Sequence, residues 1–312
     1  MRRTIQLTGV DGATGVGTFS CNLPMNLDYF AFYAIDLAAA VVLADIPNIN
    51  LYAQSQTLRQ YNGIQQGIMN VFDKLPAYSA DSCLSIHLDQ LGMKTVQATY
   101  GPTLNTLSPD PITGKSITTA RLEVITNNVA HVPNWQLFAD VDDSGNGGPG
   151  NLERIKVFGS LNVGTAEKSF ATVFPFGTPD VRFWRRLLVT NISAGSITLG
   201  RLLRGSAGAE VFKRTGAIDL HVINDYGVRN PTFSAGVAGL VFALDGTETG
   251  IPEMWDTMVP NGAFIQPQPK ATPPVVGTPD LQPFLTVGTM DLRLTASAPA
   301  TCDIIHSTMG PL

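Results

Sequence analysis

The chain has 312 residues, enough for two domains of ordinary size, and only 14% of them are charged, against about 25% in typical proteins. The formal net charge of −5 argues against a protein that coats nucleic acid, because that role needs a basic face. The three cysteines are odd in number and far apart, so we predict buried free thiols and neither a disulfide framework nor a zinc site.

The first half of the chain reads mainly as short strands. Residues 4–8 and 18–23 alternate in polarity, and residues 29–43 predict a buried strand. Within that segment the apolar run 37–44 is far shorter than a membrane span, and we predict that it is buried by packing. Residues 56–75 predict the helix of this half, because apolar side chains recur at three- and four-residue steps at Leu58, Tyr61, Ile64, Ile68 and Phe72. No apolar segment follows Arg2-Arg3, so we expect no signal peptide.

A run of aspartate and glycine at residues 140–150 separates the two halves. We place the domain boundary there, with a first domain over residues 1–146 and a second over residues 147–312. In the second half, residues 183–189 and 302–306 predict strands, and residues 206–222 predict a helix. Residues 260–283 contain seven prolines and predict a long exposed loop.

The order of segments occurs twice. The strand pattern at residues 49–51 returns at 197–199, that of 84–89 returns at 240–245, and that of 120–124 returns at 291–294. The pair Leu58-Arg59 has a counterpart in Leu203-Arg204. This repetition predicts an all-β protein of two tandem eight-stranded jelly-roll β-sandwiches, with short helices in the connections.

No catalytic constellation emerges from the sequence, and we do not expect an enzyme. The four histidines stand apart from one another, and the stretch 113–116 lacks the first glycine of a phosphate-binding loop. Alternating oxygen side chains at Asp140, Asp142 and Ser144 resemble a calcium loop, although Asn151 occupies the place of its bidentate glutamate. A solvated hinge rich in aspartate and glycine is the alternative.

The order of strands and helical stretches resembles the double jelly-roll major capsid proteins of icosahedral viruses that contain an internal membrane, most closely the corticovirus type. The segments that carry the resemblance are residues 118–124, 197–199, 210–213, 224–227, 291–295 and 307–310. The resemblance implies a coat protein of a bacteriophage virion, synthesised in the host cytoplasm. It implies homotrimers with a pseudo-hexagonal outline that tile an icosahedral shell, with minor capsid and vertex proteins and an internal lipid membrane as further partners. The low charge content independently fits large subunit interfaces.

We predict that Arg59 and Arg204 occupy equivalent places in the two halves, at helical starts, and contact neighbouring chains. An ion pair on the surface or within the chain is the alternative for each. The alternative function is a carbohydrate-binding β-sandwich, such as a lectin or a receptor-binding spike, with Trp135, Trp184 or Trp255 as the sugar platform.

Overall fold

The computed structural model describes residues 2–8, 15–73, 75–76, 78–88, 103–109, 114–144, 152–170, 183–204, 209–216, 242–245 and 290–310. Strands dominate these residues, as the predicted all-β class requires. The first half contributes β1 (Arg3–Gln6), β2 (Gly17–Asn22), β3 (Asp28–Asp36), β4 (Asn48–Ala53), β5 (Gln56–Tyr61), β6 (Cys83–His87), β7 (Leu104–Asn105), β8 (Ala120–Thr126) and β9 (Trp135–Asp142). Its helices are α1 (Gly63–Phe72) and the single turn α2 (Tyr78–Asp81), with a 3-10 turn over Leu43–Asp45.

The second half supplies a further series of strands beyond the predicted domain boundary. These are β10 (Leu152–Val163), β11 (Lys168–Ser169), β12 (Phe183–Thr190), β13 (Ile197–Arg204), β14 (Ala209–Thr215), β15 (Phe242–Asp245), β16 (Met290–Ala296) and β17 (Ala300–Gly310). The boundary itself, between residues 146 and 147, lies outside the described residues, and the domain division stays a prediction.

Both halves follow the same jelly-roll strand order. Setting aside the two-residue strand β7, one sheet of the first half runs β1-β9-β3-β6 and the other runs β5-β4-β8-β2. In the second half the corresponding orders are β10-β17-β12-β15 and β14-β13-β16-β11. Counted along each half, one sheet therefore contains the first, eighth, third and sixth strands, and its companion contains the fifth, fourth, seventh and second. This is the Greek-key arrangement of a jelly roll, which here occurs twice.

The sequence repeat agrees with this topology at three of its four points. The matched segments at 49 and 197, at 84 and 240, and at 120 and 291 fall on β4 and β13, β6 and β15, and β8 and β16. The fourth match is wrong, because Arg59 lies on the fifth strand of its half and Arg204 lies at the end of the fourth. Strand polarity alone could not separate neighbouring strands of a hairpin.

The predicted helix over residues 56–75 is half right. Residues 56–61 form β5, which pairs with β4 through a tight turn at Gln54 and Ser55, and the helix begins only at Gly63. A capping box begins the helix. The side-chain oxygen of Asn62 accepts from the backbone N–H of Gln65 at 2.9 Å, and the side-chain oxygen of Gln65 accepts from the backbone N–H of Asn62 at 2.8 Å. The helix predicted over residues 206–222 is wrong for residues 209–215, which form β14, and residues 217–222 lie outside the described residues.

Close packing explains the glycines inside α1. A Cβ atom at Gly63 would lie 2.4 Å from the Leu43 carbonyl oxygen, and one at Gly67 would lie 2.6 Å from a Leu43 methyl carbon. The helix can therefore approach the 3-10 turn only where it has no side chain. The glycines that weaken the helical pattern in the sequence are required by tertiary packing.

Candidate functional site

The two jelly rolls are joined by one continuous sheet. Strand β5, at the edge of the first half, pairs in parallel with β10, the first strand of the second half, at the single register position that sets Arg59 opposite Ile155. The result is the eight-stranded order β15-β12-β17-β10-β5-β4-β8-β2. A backbone ladder, and not a flexible linker alone, thus connects the halves.

Side chains alternate across this shared sheet, so its two faces serve different barrels. Arg59 points toward the first barrel, where its Nη1 donates to the His87 carbonyl oxygen of β6 at 2.7 Å. Leu188 and Ile305, on strands of the second half, pack into the same hydrophobic cluster as the first barrel's core. The first barrel therefore covers part of the second half's strands on that face.

A buried ion pair lies at the centre of this junction. The guanidinium of Arg59 donates to the carboxylate of Glu153, and the Ser307 hydroxyl donates to the other oxygen of that carboxylate. The side chains of Arg59 and Glu153 are 3% and 1% exposed. Because water cannot solvate either charge, each requires the other, and the pair links β5 of one half to β10 and β17 of the other.

A second ion pair ties α1 to the second half. Arg186 on β12 donates from Nη1 to both carboxylate oxygens of Asp73, at 2.8 and 3.0 Å, and its guanidinium lies over the Phe72 ring. Between the two pairs, burial raises the pKa of the Tyr61 phenol, with the nearby Arg59 charge acting in the opposite direction. The junction thus holds two ion pairs and a neutral phenol.

The structure places the two predicted interface arginines differently. The buried side chain of Arg59 forms the intrachain pair that the sequence left as the alternative, and neither arginine begins a helix. Arg204 lies opposite Ala209 of β14 and Met290 of β16. A contact of Arg204 with a neighbouring chain stays a prediction.

The calcium candidates lie at the end of β9. Asp140 accepts from Nε of Arg2 at 2.7 Å, whereas Asp142 accepts from both the amide and the hydroxyl of Ser144, at 2.8 and 2.6 Å. Asp140 and Asp142 are two residues apart on β9 and lie on the same face of the sheet, and Ser144 folds back onto Asp142 after the strand. No cluster of three or more metal-ligating His, Cys, Asp or Glu side chains occurs within the described ranges. Calcium binding here stays a prediction.

Asp28 on β3 lies directly opposite Asp142 on β9, and its carboxyl group has a raised pKa. Burial is the main cause, and it raises the pKa of Asp28 to about 6. The negative charge of Asp142 also raises this pKa, whereas the hydrogen bond with Thr103 and the positive charge of Arg2 lower it. The unfolded chain has the ordinary pKa of about 3.9. The protonated carboxyl therefore stabilises the fold fully below about pH 4, and this contribution is lost as pH rises through 6.

We expect Asp28→Asn to raise the free energy of unfolding by about 1–3 kcal/mol at pH 8, because the amide cannot ionise. The gain should shrink as pH falls through 6 and should vanish near pH 4, where the wild-type carboxyl is protonated in the folded state. Urea unfolding of both proteins across this range measures it. Equal differences at about pH 4 and pH 8 would contradict the assignment.

One end of the first barrel exposes apolar side chains. All the large apolar residues that are exposed in the described part of the chain lie on three loops at this end: Val16, Leu37, Val42, Val129 and Val132. Backbone hydrogen bonds join the loops, from Gly15 to Pro133 and from Leu37 to Asn134. The prediction that residues 37–44 are buried is therefore wrong for Leu37 and Val42 and right for Val41.

Two buried aspartates hold these loops in place. Asp36 accepts four backbone N–H bonds, from Ala38, Ala40, Val41 and Asn134, at 2.8 to 3.1 Å. Asp45 accepts from the Val42 amide and bonds the side chains of Asn128 and His131. The apolar end is thus a fixed surface.

One of the three tryptophans predicted as a sugar platform for the carbohydrate-binding alternative is buried. Trp135 is 3% exposed and packs beside Phe19 in the core, so it offers no stacking surface to a sugar. Trp255 lies outside the described residues, as does the predicted proline-rich loop, and the Trp184 side chain is not described. No helix in the described ranges is long and apolar enough to cross a membrane.

Comparison with known proteins identifies the class of fold. The structure matches the crystal structure of the major capsid protein P2 from Bacteriophage PM2 with a TM-score of 0.69 at 14% identity, over 99% of this chain and 97% of that one. The STIV MCP matches with a TM-score of 0.59 at 13% identity, over 99% and 97%. The PBCV-1 virus capsid matches with a TM-score of 0.50 at 10% identity, over 99% and 93%. Scans against family models and curated proteins gave no match.

The chain therefore has the double jelly-roll fold of viral major capsid proteins, as the sequence resemblance predicted. At these identities the likeness is one of fold. It spans nearly the whole of each chain, so both barrels and their mutual arrangement take part in it.

Sequence reasoning missed Glu153, Asp73 and Ser307 as residues of the junction. The sequence offered no signal for Glu153, since it stands among charged residues at the start of β10, and after Ile155 that strand is mostly half-buried or exposed. Its partner on β5 could not be chosen without the topology.

Proposed function

We propose that this chain is a major capsid protein whose homotrimers tile an icosahedral virion shell, and that it catalyses no reaction. The observation that carries the proposal is the two barrels with identical strand order in one chain, an arrangement found over almost the full length of viral major capsid proteins. Two similar barrels per chain give a trimer six similar units, and hence a near-hexagonal outline that packs in a plane. The low charge content suits a molecule with extensive buried contacts.

Several finer features belong to the same proposal. Synthesis in a host cytoplasm, minor capsid and vertex proteins as partners, and a lipid membrane beneath the shell follow from the resemblance to membrane-containing icosahedral viruses. Contact of Arg204 with a neighbouring chain, calcium at Asp140, Asp142 and Ser144, and the division at residue 146 are further expectations of this kind. The net charge of −5 supports a shell that does not read nucleic-acid sequence.

Light scattering after size-exclusion chromatography tests the proposal. We expect the purified chain to elute as a trimer, and negative-stain microscopy to show particles with three-fold symmetry and a hexagonal outline. The proposal would be overturned if the chain stays monomeric at all concentrations and forms no such particle, either alone or with virion components. Specific binding on a glycan array by such a monomer would favour the carbohydrate-binding alternative.

A further inference from the structure

The two barrels present equivalent sheets to different surroundings. In the second half, Leu188 on β12 and Ile305 on β17 lie opposite each other and pack into the core cluster of the first barrel, outside their own. These are the third and eighth strands of that half, and the first barrel covers them. The third and eighth strands of the first half, β3 and β9, lie in the separate sheet β1-β9-β3-β6.

The outer face of that separate sheet carries large apolar side chains. Leu137 and Ala139 belong to the core cluster, so Phe138 between them points out of the barrel. Tyr33 lies opposite Phe138, and Ile35 follows on the same face. All three outward side chains are half-buried, whereas the equivalent pair in the second half is fully buried. We call the surface formed by Tyr33, Ile35 and Phe138 the first-barrel face.

The middle of the first-barrel face is uncharged. Across the four strands, one row of paired residues runs from Gln6 through Phe138 and Tyr33 to Ser85. Charge begins only at Asp140, further along β9. A patch with aromatic residues at its centre and charge at its margin has the composition of a protein–protein interface.

We propose that the first-barrel face binds the second barrel of another copy of this chain, in the way that the face around Leu188 and Ile305 binds the first barrel within the chain. The contact within the chain is made by β5, the fifth strand of its half, and by α1 after it. The counterpart of β5 on the incoming copy is β14, which lies at the edge of its sheet in the described part of the chain. The proposal rests on the proposed function and deepens it, because it names the surfaces that join the trimer.

The charges at the two contacts favour a second copy as the occupant. Within the chain, the fifth strand contributes the cation Arg59, and the sheet that it meets contributes the carboxylate of Glu153. The fifth strand of the second half carries the exposed cation Lys213, and the first-barrel face ends at Asp140 and Asp142. The second contact therefore repeats the charge arrangement of the first.

Photochemical cross-linking of the purified full chain tests the proposal, with p-benzoyl-phenylalanine in place of Phe138. This amino acid keeps an aromatic ring at the position, so the fold is retained. We expect irradiation to give a covalent product of two chains, and mass spectrometry to place the second attachment in the second half of the neighbouring copy. The same amino acid in place of Val129, which is 82% exposed at the apolar end, should give no such product. Cross-links from position 138 that stay within one chain, or that reach the first half of a neighbour, would overturn the proposal.

A matched pair of variants measures the contribution of the face to assembly. Phe138→Lys places a cation opposite a cationic strand and should raise the Kd of the trimer by about tenfold or more in light scattering. Val129→Lys should leave that Kd unchanged, and circular dichroism of both variants checks the fold. A Phe138→Lys trimer as stable as the wild type would overturn this inference and leave the proposed trimer intact. A wild-type chain that never associates would overturn both.

Discussion

Replacing Glu153 with Gln is expected to lower the free energy of unfolding by about 3–5 kcal/mol, because it leaves the buried Arg59 guanidinium without its counter-charge. The pair is 3% and 1% exposed, so water cannot replace the lost carboxylate. The substitution also changes the acceptor of the Ser307 hydroxyl. Because the pair links strands of different barrels, the loss should fall on the junction, and we expect the two halves to unfold in separable steps. Urea unfolding followed by tryptophan fluorescence and circular dichroism measures both effects.

The control for this prediction is Glu210→Gln, which removes one carboxylate from the more exposed Arg201 pair on the second barrel. It should change stability by less than about 1 kcal/mol. The double variant Arg59→Met with Glu153→Leu removes both charges at once and should recover much of the loss, since no buried charge is then unpaired. A single variant Glu153→Gln as stable as the wild type would show that the pair does not hold the halves together.

Replacing Asp36 with Ala is expected to lower the free energy of unfolding by about 3–4 kcal/mol. This carboxylate is 2% exposed and accepts four backbone N–H bonds from two different loops. Alanine would remove the acceptor of all four donors, of which the Val41 N–H is buried, and the apolar loops would lose their fixed conformation. Limited proteolysis within residues 37–44 should become faster alongside the change in urea midpoint.

Asp36→Asn separates the two contributions of this residue. It keeps one acceptor oxygen, so its effect should lie between those of the wild type and Asp36→Ala. The matched control is Asp81→Ala, which removes an exposed aspartate that accepts a single backbone N–H bond, from Cys83. We expect a loss of less than about 1 kcal/mol there. Similar losses for Asp36→Ala and Asp81→Ala would contradict the special role of Asp36.

The class of fold could be predicted from the sequence, whereas most of the contacts between the two halves could not. Period-two alternation is a local property, so β8 could be predicted from its own residues. The repeat at residues 49 and 197 then located equivalent strands of the two barrels. Helix boundaries were less predictable: Leu58 and Tyr61 fit a helical stripe and a strand equally well, and only pairing with β4 decided between them.

The contacts between the halves lie beyond sequence reasoning for a physical reason. Arg59 and Glu153 are far apart in the chain, and each is an ordinary charged residue until the parallel pairing of β5 with β10 brings them together. The apolar run 37–44 was predicted to be buried because hydrophobic residues usually are. What exposes it is the position of its loop at the end of the barrel, held there by Asp36 and Asp45.

The contact between the two halves is head to tail: the fifth strand of one barrel meets the first strand of the next. The fifth strand of the second barrel, β14, and the first strand of the first barrel, β1, each lie at the edge of a sheet among the residues that the structure describes. Such a contact is heterologous, because it joins two different strand edges. Each barrel that is added by it still has a first or a fifth strand at its far edge, so the contact can be repeated. Repeated between molecules, a contact of this kind would close a ring if its rotation divides a full turn, and would build an open filament if it does not.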